Sequence, residues 1–365
     1  MDQRTYNYEK LAQTYDNFIT PLFTIKINNQ DLTWTKYVLL NVEVETSASG
    51  TAGGCTFLIT GDYDRKNIKW VNDATKLIKP GAKLELSGGF NSNLRQVFYG
   101  YVDDYAIQFD QEGTPYIKVN GLDGLGYLMN MCEPFYAGDR KPQQIVKSVL
   151  QKCKDAGYAR EISVGELEGF ETPIIKEQMD DWKFLQLMAQ RYGASLFAVN
   201  GELIFDNVMT KTSPILTLTI GRNLRSFTRR VSLAHQVGKV EIFGRDVNQN
   251  AIQGSASTVT VGGKGKTAAE WVTGLEKSVL RERSEYVRTK KECMLLAQNR
   301  LNSIAMGFVS GEGECLGLPE LIPGRYLEID GGDDTTNGTY FITKVIHKFN
   351  QDGYTTVFEV KGAKA

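Results

Sequence analysis

The sequence predicts a mainly β protein in which two similar β-units flank an α+β segment. Three observations predict it. Residues 80–89, Pro-Gly-Ala-Lys-Leu-Glu-Leu-Ser-Gly-Gly, return at 323–332 as Pro-Gly-Arg-Tyr-Leu-Glu-Ile-Asp-Gly-Gly. Two helix signatures and an Asn-Gly hairpin lie between the copies. Glycine is abundant (36 residues) and proline sparse (9), which suits a chain with many β-turns.

The repeat carries the domain reading. Pro80, Gly81, Leu84, Glu85, Gly88 and Gly89 match Pro323, Gly324, Leu327, Glu328, Gly331 and Gly332. Tyr101-Val102 then answers Phe341-Ile342, and Phe109-Asp110-Gln111-Glu112-Gly113 answers Phe349-Asn350-Gln351-Asp352-Gly353. The offset drops by three inside a polar loop, 91–96 against 334–338, as a duplicated β-unit tolerates. Pro-Gly suits a turn, because Pro presets φ and Gly supplies φ > 0. Leu84 and Leu86 alternate with Lys83 and Glu85, so the strand has one buried face; Leu327 and Ile329 repeat it. Gly-Gly is expected to close this strand into a hairpin. A second strand follows at 97–109 or 339–349, and a third at Tyr116–Val119 or Val357–Val360. Matched spacing over three strands favours internal duplication over chance recurrence of common turn dipeptides.

The other elements follow in order. Residues 1–20 form an N-terminal arm with Tyr6, Leu11 and Tyr15 at helical spacing, read as a surface extension. The first β-unit spans 21–125. It has a strand at 22–27 turning at Asn28-Asn29, a strand around Val42 and Val44, a Gly/Ser loop at 47–54, a strand at 55–60 and a short helix at 64–78. The middle α+β domain spans 126–211. Pro142 starts a helix whose face is Ile145, Val146, Val149, Leu150 and Cys153, ending near Gly157. A second helix starts at Asp180 or Asp181 and ends at Gly193, with Trp182, Phe184, Leu185 and Tyr192 as core. The Asn200-Gly201 turn joins Ser195–Val199 to Glu202–Phe205. The second β-unit spans 212–365, with strands at 215–220, 231–233 and 237–243. It also holds a weakly periodic insertion at about 246–285, a helix at about 289–306 and a Gly-rich strand at 308–317.

Composition excludes several function classes. The net charge of −1 gives no general attraction to nucleic acid or anionic lipid. No apolar run is long enough to span a bilayer, and residues 1–20 lack the apolar centre of a signal peptide. Cys55, Cys132, Cys153, Cys293 and Cys315 are odd in number and lack CxxC spacing, which suits reduced thiols in a protein made in the cytoplasm. Gly-Gly-Lys-Gly-Lys-Thr at 262–267 lacks the first glycine of a phosphate-binding loop, because Thr260 stands there. His235 and His347 sit in strand-like surroundings without neighbours at ligand spacing. Asp103-Asp104 and Asp333-Asp334 read as solvated pairs rather than a calcium site. No GxSxG or HExxH motif occurs. The reading is non-enzymatic, with no catalytic, cofactor or metal residues.

One stretch carries a family resemblance. Asp181-Trp182-x-Phe184-Leu185-x-x-x-Ala189-x-Arg191-Tyr192-Gly193, followed by a glycine-turn hairpin, resembles the middle-domain signature of the phage late control protein D family. Leu318-Pro319-Glu320-Leu321-Ile322-Pro323-Gly324 and Gly338-Thr339-Tyr340-Phe341-Ile342 are also similar to it. The resemblance covers about residues 20–362. The family includes baseplate hubs of contractile phage tails and bacteriocins, and the hub portion of type VI secretion spike proteins. The resemblance implies two tandem tube-like β-barrels per chain, and a homotrimer whose six barrels form a pseudo-six-fold ring. Such a ring would join a six-fold tail tube protein to a separate three-fold spike protein, among other baseplate subunits and around a tape-measure protein. The spike is expected on another chain, since the sequence ends just after the second unit. The protein would then be made in a bacterial cytoplasm and built into a tail baseplate, without cofactor, specific nucleic acid or membrane. The polar positions of the repeated strands, Lys83, Glu85, Tyr326 and Glu328, are expected to face the channel lumen, which should offer no sticky apolar wall; the alternative is the ring's outer face. The competing reading is a tail-associated effector or peptidoglycan hydrolase on the same scaffold. A tail tube subunit fits less well, because it needs one barrel and no insert.

Overall fold

A computed structural model describes residues 1–32, 37–61, 63–72, 74–109, 113–136, 140–167, 169–170 and 174–365. The chain opens with helix α1 (Tyr8–Thr14), capped by the Asn7 side chain, which accepts from the Lys10 N–H at 3.0 Å. Leu11 and Tyr15 are buried in the main core, and the Tyr6 N–H donates to the Ile215 carbonyl at 2.7 Å. The arm is therefore not a surface extension. It is a strap whose apolar side chains and backbone groups are satisfied on both β-units.

The first β-unit contains β1 (Pro21–Ile27), β2 (Val38–Ser47), β3 (Gly54–Thr60), β4 (Lys83–Phe90), β5 (Asn93–Gln108) and β6 (Tyr116–Leu122). They lie antiparallel in the order β1-β4-β5-β6-β3-β2. Strict in-out alternation builds them; β3, for example, buries Cys55, Phe57 and Ile59. Asn28 and Asn29 turn β1 with φ of 49° and 66°, a left-handed pair that Asn tolerates. No helix spans 64–78. Residues 63–64 pair with 69–70, and one helical turn covers Ala74–Leu77. The Asp64 carboxylate accepts from the Lys66 and Asn67 N–H groups, and that local turn competes with a helix.

The middle segment contains α2 (Gly124–Leu128), α3 (Pro142–Asp155), β7 (Glu161–Val164), α4 (Asp181–Tyr192), β8 (Ser195–Val199) and β9 (Glu202–Asp206). Asp180 caps α4, accepting from the Lys183 N–H at 2.6 Å, and Gly193 ends it at φ 63°. β8 and β9 form the Asn200-Gly201 hairpin, and β7 adds parallel to β9.

The second β-unit contains β10 (Pro214–Thr219) and β11 (Leu224–Val231) before an excursion. Only Val231 of the expected 231–233 strand is in β11; the chain then turns through His235 at φ 62°. The excursion is not an extended loop. β12 (Lys239–Arg245), β13 (Ala251–Ala256) and β14 (Val279–Arg283) make a separate sheet, with a helical turn at Ala268–Trp271. Asp246 makes the β12–β13 turn by accepting from the Asn248 and Asn250 N–H groups, each at 2.8 Å. Helix α5 (Lys290–Ala305) follows, with a Thr289/Glu292 capping box. β15 (Val309–Leu316), β16 (Tyr326–Asp330), β17 (Gly338–Asn350) and β18 (Gly353–Gly362) complete the unit in the order β10-β16-β17-β18-β15-β11.

Two cores result. One runs through the arm and both β-units. The other joins α2–α4 and the β8–β9 hairpin to Val240, Ile242, Ala256, Cys293, Ala297 and Leu301, so the excursion packs on the middle segment. At its base Asp181 is fully buried, with Lys176 Nζ at 2.6 Å and Lys152 Nζ at 2.8 Å. Lys176 is equally buried and also donates to the Glu133 carbonyl at 2.8 Å. Lys176→Met leaves the buried Asp181 carboxylate with Lys152 alone of its two lysines and should cost about 1–3 kcal/mol, read from the denaturant midpoint. A loss under about 1 kcal/mol would mean that this pair does not hold the middle core together.

Candidate functional site

The candidate site is the set of surfaces at which the two β-units meet. Five strands of the first unit, β4-β5-β6-β3-β2, match five of the second, β16-β17-β18-β15-β11, in chain order, sheet order and antiparallel sense. The Pro-Gly turns match in detail. Gly81 and Gly324 have φ of 83° and 80°, which favours glycine at both. The Gly81 N–H donates to the Val102 carbonyl at 2.8 Å and Gly324 to Ile342 at 2.9 Å. Val102 and Ile342 return bonds to Ala82 and Arg325, each at 2.8 Å. Lys83 pairs with Tyr101 as Tyr326 pairs with Phe341, and both long strands slip register immediately afterwards, at Val102/Asp104 and Ile342/Lys344. The sixth strands differ: β1 runs antiparallel to β4, whereas β10 runs parallel to β16. Of the repeated Phe-Asp-Gln-Glu-Gly, residues 110–112 lie outside the described residues.

The units join edge to edge. Residues 344–349 of β17 pair with residues 42–47 of β2. Lys344 Nζ lies 3.0 Å from Glu45 and 3.7 Å from Glu359, and Lys348 lies 4.0 Å from Glu43. Behind the junction an aromatic seam links arm and units. Tyr15 meets Phe90 at 5.7 Å, Phe90 stacks on Tyr354 at 5.6 Å, Tyr354 stacks on Phe349 at 3.9 Å, and Phe349 meets Phe23 at 5.3 Å. This seam explains Gly88. Gly88 and Gly89 do not form a hairpin loop; they lie inside β4, and the turn falls at 91–92. A Cβ on Gly88 would stand 2.3 Å from Phe349 Cζ, and one on Gly89 2.1 Å from the Asn93 carbonyl. Their counterparts differ, because Gly331 ends β16 at φ 81° and Gly332 follows in the loop.

The remaining repeat residues divide between core and middle segment. Leu84, Leu86, Leu327 and Ile329 are buried. Tyr326, expected at a channel wall, is also fully buried. Its hydroxyl donates to the Met209 carbonyl at 2.7 Å and its ring meets Phe341 at 5.4 Å. The aromatic ring takes the apolar environment that β10 and Met209 offer. Glu85 is held at 2.8 Å by Arg160, whose guanidinium lies over the Tyr99 ring at 4.4 Å. Lys83 is exposed beside Gly157, and Glu328 is exposed, accepting from Thr217 Oγ1 at 2.9 Å. In the middle segment Phe184, Leu185 and Tyr192 are buried. Trp182 is half-buried, and its indole N–H donates to the Gly50 carbonyl at 2.7 Å, tying α4 to the loop before β3.

Side chains that the repeat did not reveal clamp these pieces. Buried Glu320 accepts from the Tyr15 hydroxyl at 2.7 Å and meets Arg95 Nε at 3.0 Å, joining arm, first unit and second unit. Burial raises its pKa, opposed by Tyr15 and Arg95. Arg325 is buried under the arm and donates to the carbonyls of Asp2, Arg4 and Ser213. Asp123 caps α2 and accepts from the Gly53 N–H at 2.6 Å; burial pushes its pKa up to about 7. The only signal for Glu320 was its place in Leu318–Gly324; the partners of Arg95, Arg160 and Arg325 lie 64 or more residues away in sequence.

The other candidate residues have structural settings. The 262–267 loop pairs with the chain end, Lys266 and Ala365 exchanging backbone bonds at 3.0 and 2.9 Å. His235 is exposed in a turn rather than a strand, while His347 is buried in β17 with Nδ1 2.9 Å from the Tyr354 hydroxyl. Asp103 and Asp104 are exposed on β5, and Asp333 accepts from the Thr336 N–H at 2.8 Å in a loop with Asp334. All five cysteines are free thiols, with Cys132 exposed and the rest buried. Among the described residues no group of three His, Cys, Asp or Glu could hold a metal ion, and no helix is long and apolar enough to cross a membrane.

The family model described as Alg8 N-terminal domain matches residues 19–351. The chain belongs to the Alg8 N-terminal domain family. The match is to that family, not to late control protein D. No curated protein matches the sequence. The fold of this chain is similar to that of the prophage MuSo2 43 kDa tail protein from Shewanella oneidensis. The TM-score is 0.71 at 18% identity, covering 94% of this chain and 99% of that one. A tail protein from Neisseria meningitidis MC58 gives 0.69 at 12% identity, covering 94% and 96%. An E. coli type VI secretion component, described as similar in structure to the T4 tail proteins gp27 and gp5, gives 0.60 at 12% identity, covering 93% and 76%. The chain thus shares the mainly β fold of these phage-tail and type VI secretion components.

Two outcomes test the junction. Gly88→Ala must displace the Phe349 ring and should lower stability by about 1–3 kcal/mol, measured by denaturant unfolding. An unchanged midpoint would place the seam elsewhere. Burial lowers the pKa of His347 to about 3 from an ordinary 6.5. The unfolded chain takes up this proton between those values and the folded chain does not, so stability is lost as pH falls from about 6.5. His347→Gln removes that term. Its stability relative to wild type should rise by up to about 1.4 kcal/mol per pH unit between pH 6 and 4. Parallel pH curves would show that His347 is protonated in the fold.

Proposed function

We propose that this chain is a structural hub of a contractile tail or injection particle. Three copies form a ring with six similar β-units, seated between a six-fold tail tube and a separate three-fold spike. The observation that carries the proposal is the doubling within one chain: two five-strand units with the same order, the same Pro-Gly turn and the same register slip. An internal duplication accounts for that agreement. A tandem repeat in a trimer offers six near-equivalent faces while keeping three-fold symmetry, which meets a mismatch between partners of different symmetry. The likeness in fold to phage tail proteins and to a type VI secretion component supports a tail role.

The architecture suits a rigid adaptor. The clamps at Glu320, Arg325 and Asp181 fix arm, units and middle segment with buried charge. In this reading one rim of the ring meets the tube protein, the other the spike, and the middle segments with the β12–β14 excursion meet further baseplate subunits. Trp182, Phe184, Leu185 and Tyr192 serve as core and as a fastening to the first unit. Channel-lining roles for Glu85 and Tyr326 are not part of the proposal, since both are engaged within the chain. Light scattering and native mass measurement of the purified chain, over a concentration series, should give three copies per assembly. Six copies per ring, or a species that stays monomeric throughout, would defeat the ring.

A further inference from the structure

The equivalent units differ in what covers one strand edge. In the second unit, β17 leaves β16 after Phe341, and its residues 344–349 pair with β2. The same register makes residues 104–109 of β5 their counterpart, because Asp104 and Lys344 each follow the slip. Among the described residues, no strand covers the corresponding edge of 104–107. The counterpart of β2 is β11. Glu45 faces Gly54, which faces Leu122; Arg230 faces Ser310, which faces Lys361; and Leu122 and Lys361 hold matching places opposite Tyr101 and Phe341. β11 is the last strand of its sheet and, among the described residues, pairs with β15 alone as a strand.

We infer that these two open edges join each other between copies: the end of β5 in one copy pairs antiparallel with β11 of a second copy of this chain, in the register of the internal β17–β2 junction. Asp104 then stands opposite Ser232, Tyr105 opposite Val231, Ala106 opposite Arg230 and Ile107 opposite Arg229. This deepens the ring reading and rests on it.

Two features of the edges point to that occupant. The first is charge. The internal junction carries Lys344 on the β17 side and Glu45 on the β2 side, 3.0 Å apart. The open edges carry Asp104 and Arg230 at the same two places, with the signs exchanged. A first unit meeting another first unit would set Asp104 against Glu45, and two second units would set Lys344 against Arg230. Only alternation of first and second units avoids like charges, so the exchange selects the joint between copies. The second feature is apolar area. At the internal junction Val44, Val345 and Phe349 are buried. The open edges leave Ile107 39%, Phe109 58%, Val231 37% and Leu233 49% exposed. Leu233 occupies the place of Ala48, whose N–H donates to the Thr343 carbonyl at 2.8 Å. Leu233 of one copy would likewise donate to the Asp103 carbonyl of the next. An apolar edge strand left open is an aggregation hazard, and a fixed partner removes it.

The test uses the full chain. Arg230→Asp alone, and Asp104→Arg alone, should each weaken self-association on the order of tenfold or more, read by light scattering over a concentration series. The double variant D104R/R230D should regain wild-type association. As a second measurement, Asp104→Cys with Ser232→Cys in a Cys132→Ser background should give covalently linked oligomers on oxidation, up to three chains. A wild-type trimer untouched by either single change, with no cross-linking of the cysteine pair, overturns the pairing and leaves the ring standing. A wild-type chain that stays monomeric at every concentration overturns both.

Discussion

The pairing of β2 with β17 is the constraint on which the rest of the molecule depends. It makes one continuous sheet from two units through strands about 300 residues apart in sequence, with the arm strapped across the same core. Backbone pairing alone would tolerate slippage, since a slide along the strands keeps most ladder bonds. The side chains remove that freedom. A slip of one residue would turn Val42, Val44, Val345 and Phe349 to solvent and separate Lys344 from Glu45. The aromatic seam behind the junction adds a shape requirement, because Phe349 fits only where β4 has glycine at 88.

The middle segment depends on that joined frame. It meets the first unit through Trp182 on Gly50, Arg160 on Glu85 and Asp123 beneath Gly53. It meets the second unit through Phe197 under Gly324 and Tyr326 on Met209. The contacts at Glu85, Gly324 and Tyr326 land on the Pro-Gly stretches, and those at Gly50 and Gly53 on the loop between β2 and β3. The repeated stretch therefore has a positional meaning in both units: its outer face is where the middle segment docks. Hence Glu85 and Tyr326 turn inward to chain partners, and matching positions in the two copies hold different residue types. The geometry is repeated, whereas the contacts made on it are specific to each unit.

Much of the fold was legible in the sequence. The repeat, the Asn200-Gly201 hairpin, α3, α4 and α5 all announce themselves through short-range chemistry: turn residues with positive φ, cap residues and apolar periodicity. The errors fall where local signals compete or carry little weight. Gly88-Gly89 looks like a turn, but its need for glycine comes from Phe349, 261 positions along the numbering from Gly88, and from the Asn93 carbonyl. The 246–285 stretch looks structureless because its strands are short and half-exposed, and its order comes from packing against the middle core. Tyr326 sits in the polar phase of its strand, yet burial under β10 and Met209 gives an aromatic ring a better place than solvent.

By itself the sequence determined most of the inventory: which segments are strands or helices, where they turn, and that the Pro-Gly stretch recurs. Those properties follow from interactions between residues a few positions apart, which any reader of the chain can trace. Only the tertiary structure decided how the copies meet, which strand edge the chain covers itself and which it leaves open, and that the arm is a strap. It also decided that Asp181, Glu320 and Arg325 are buried clamps. The physical reason is that edge pairing is settled by contacts across hundreds of residues and buried charge by what encloses it, so free energy depends on what surrounds a group rather than on what precedes it.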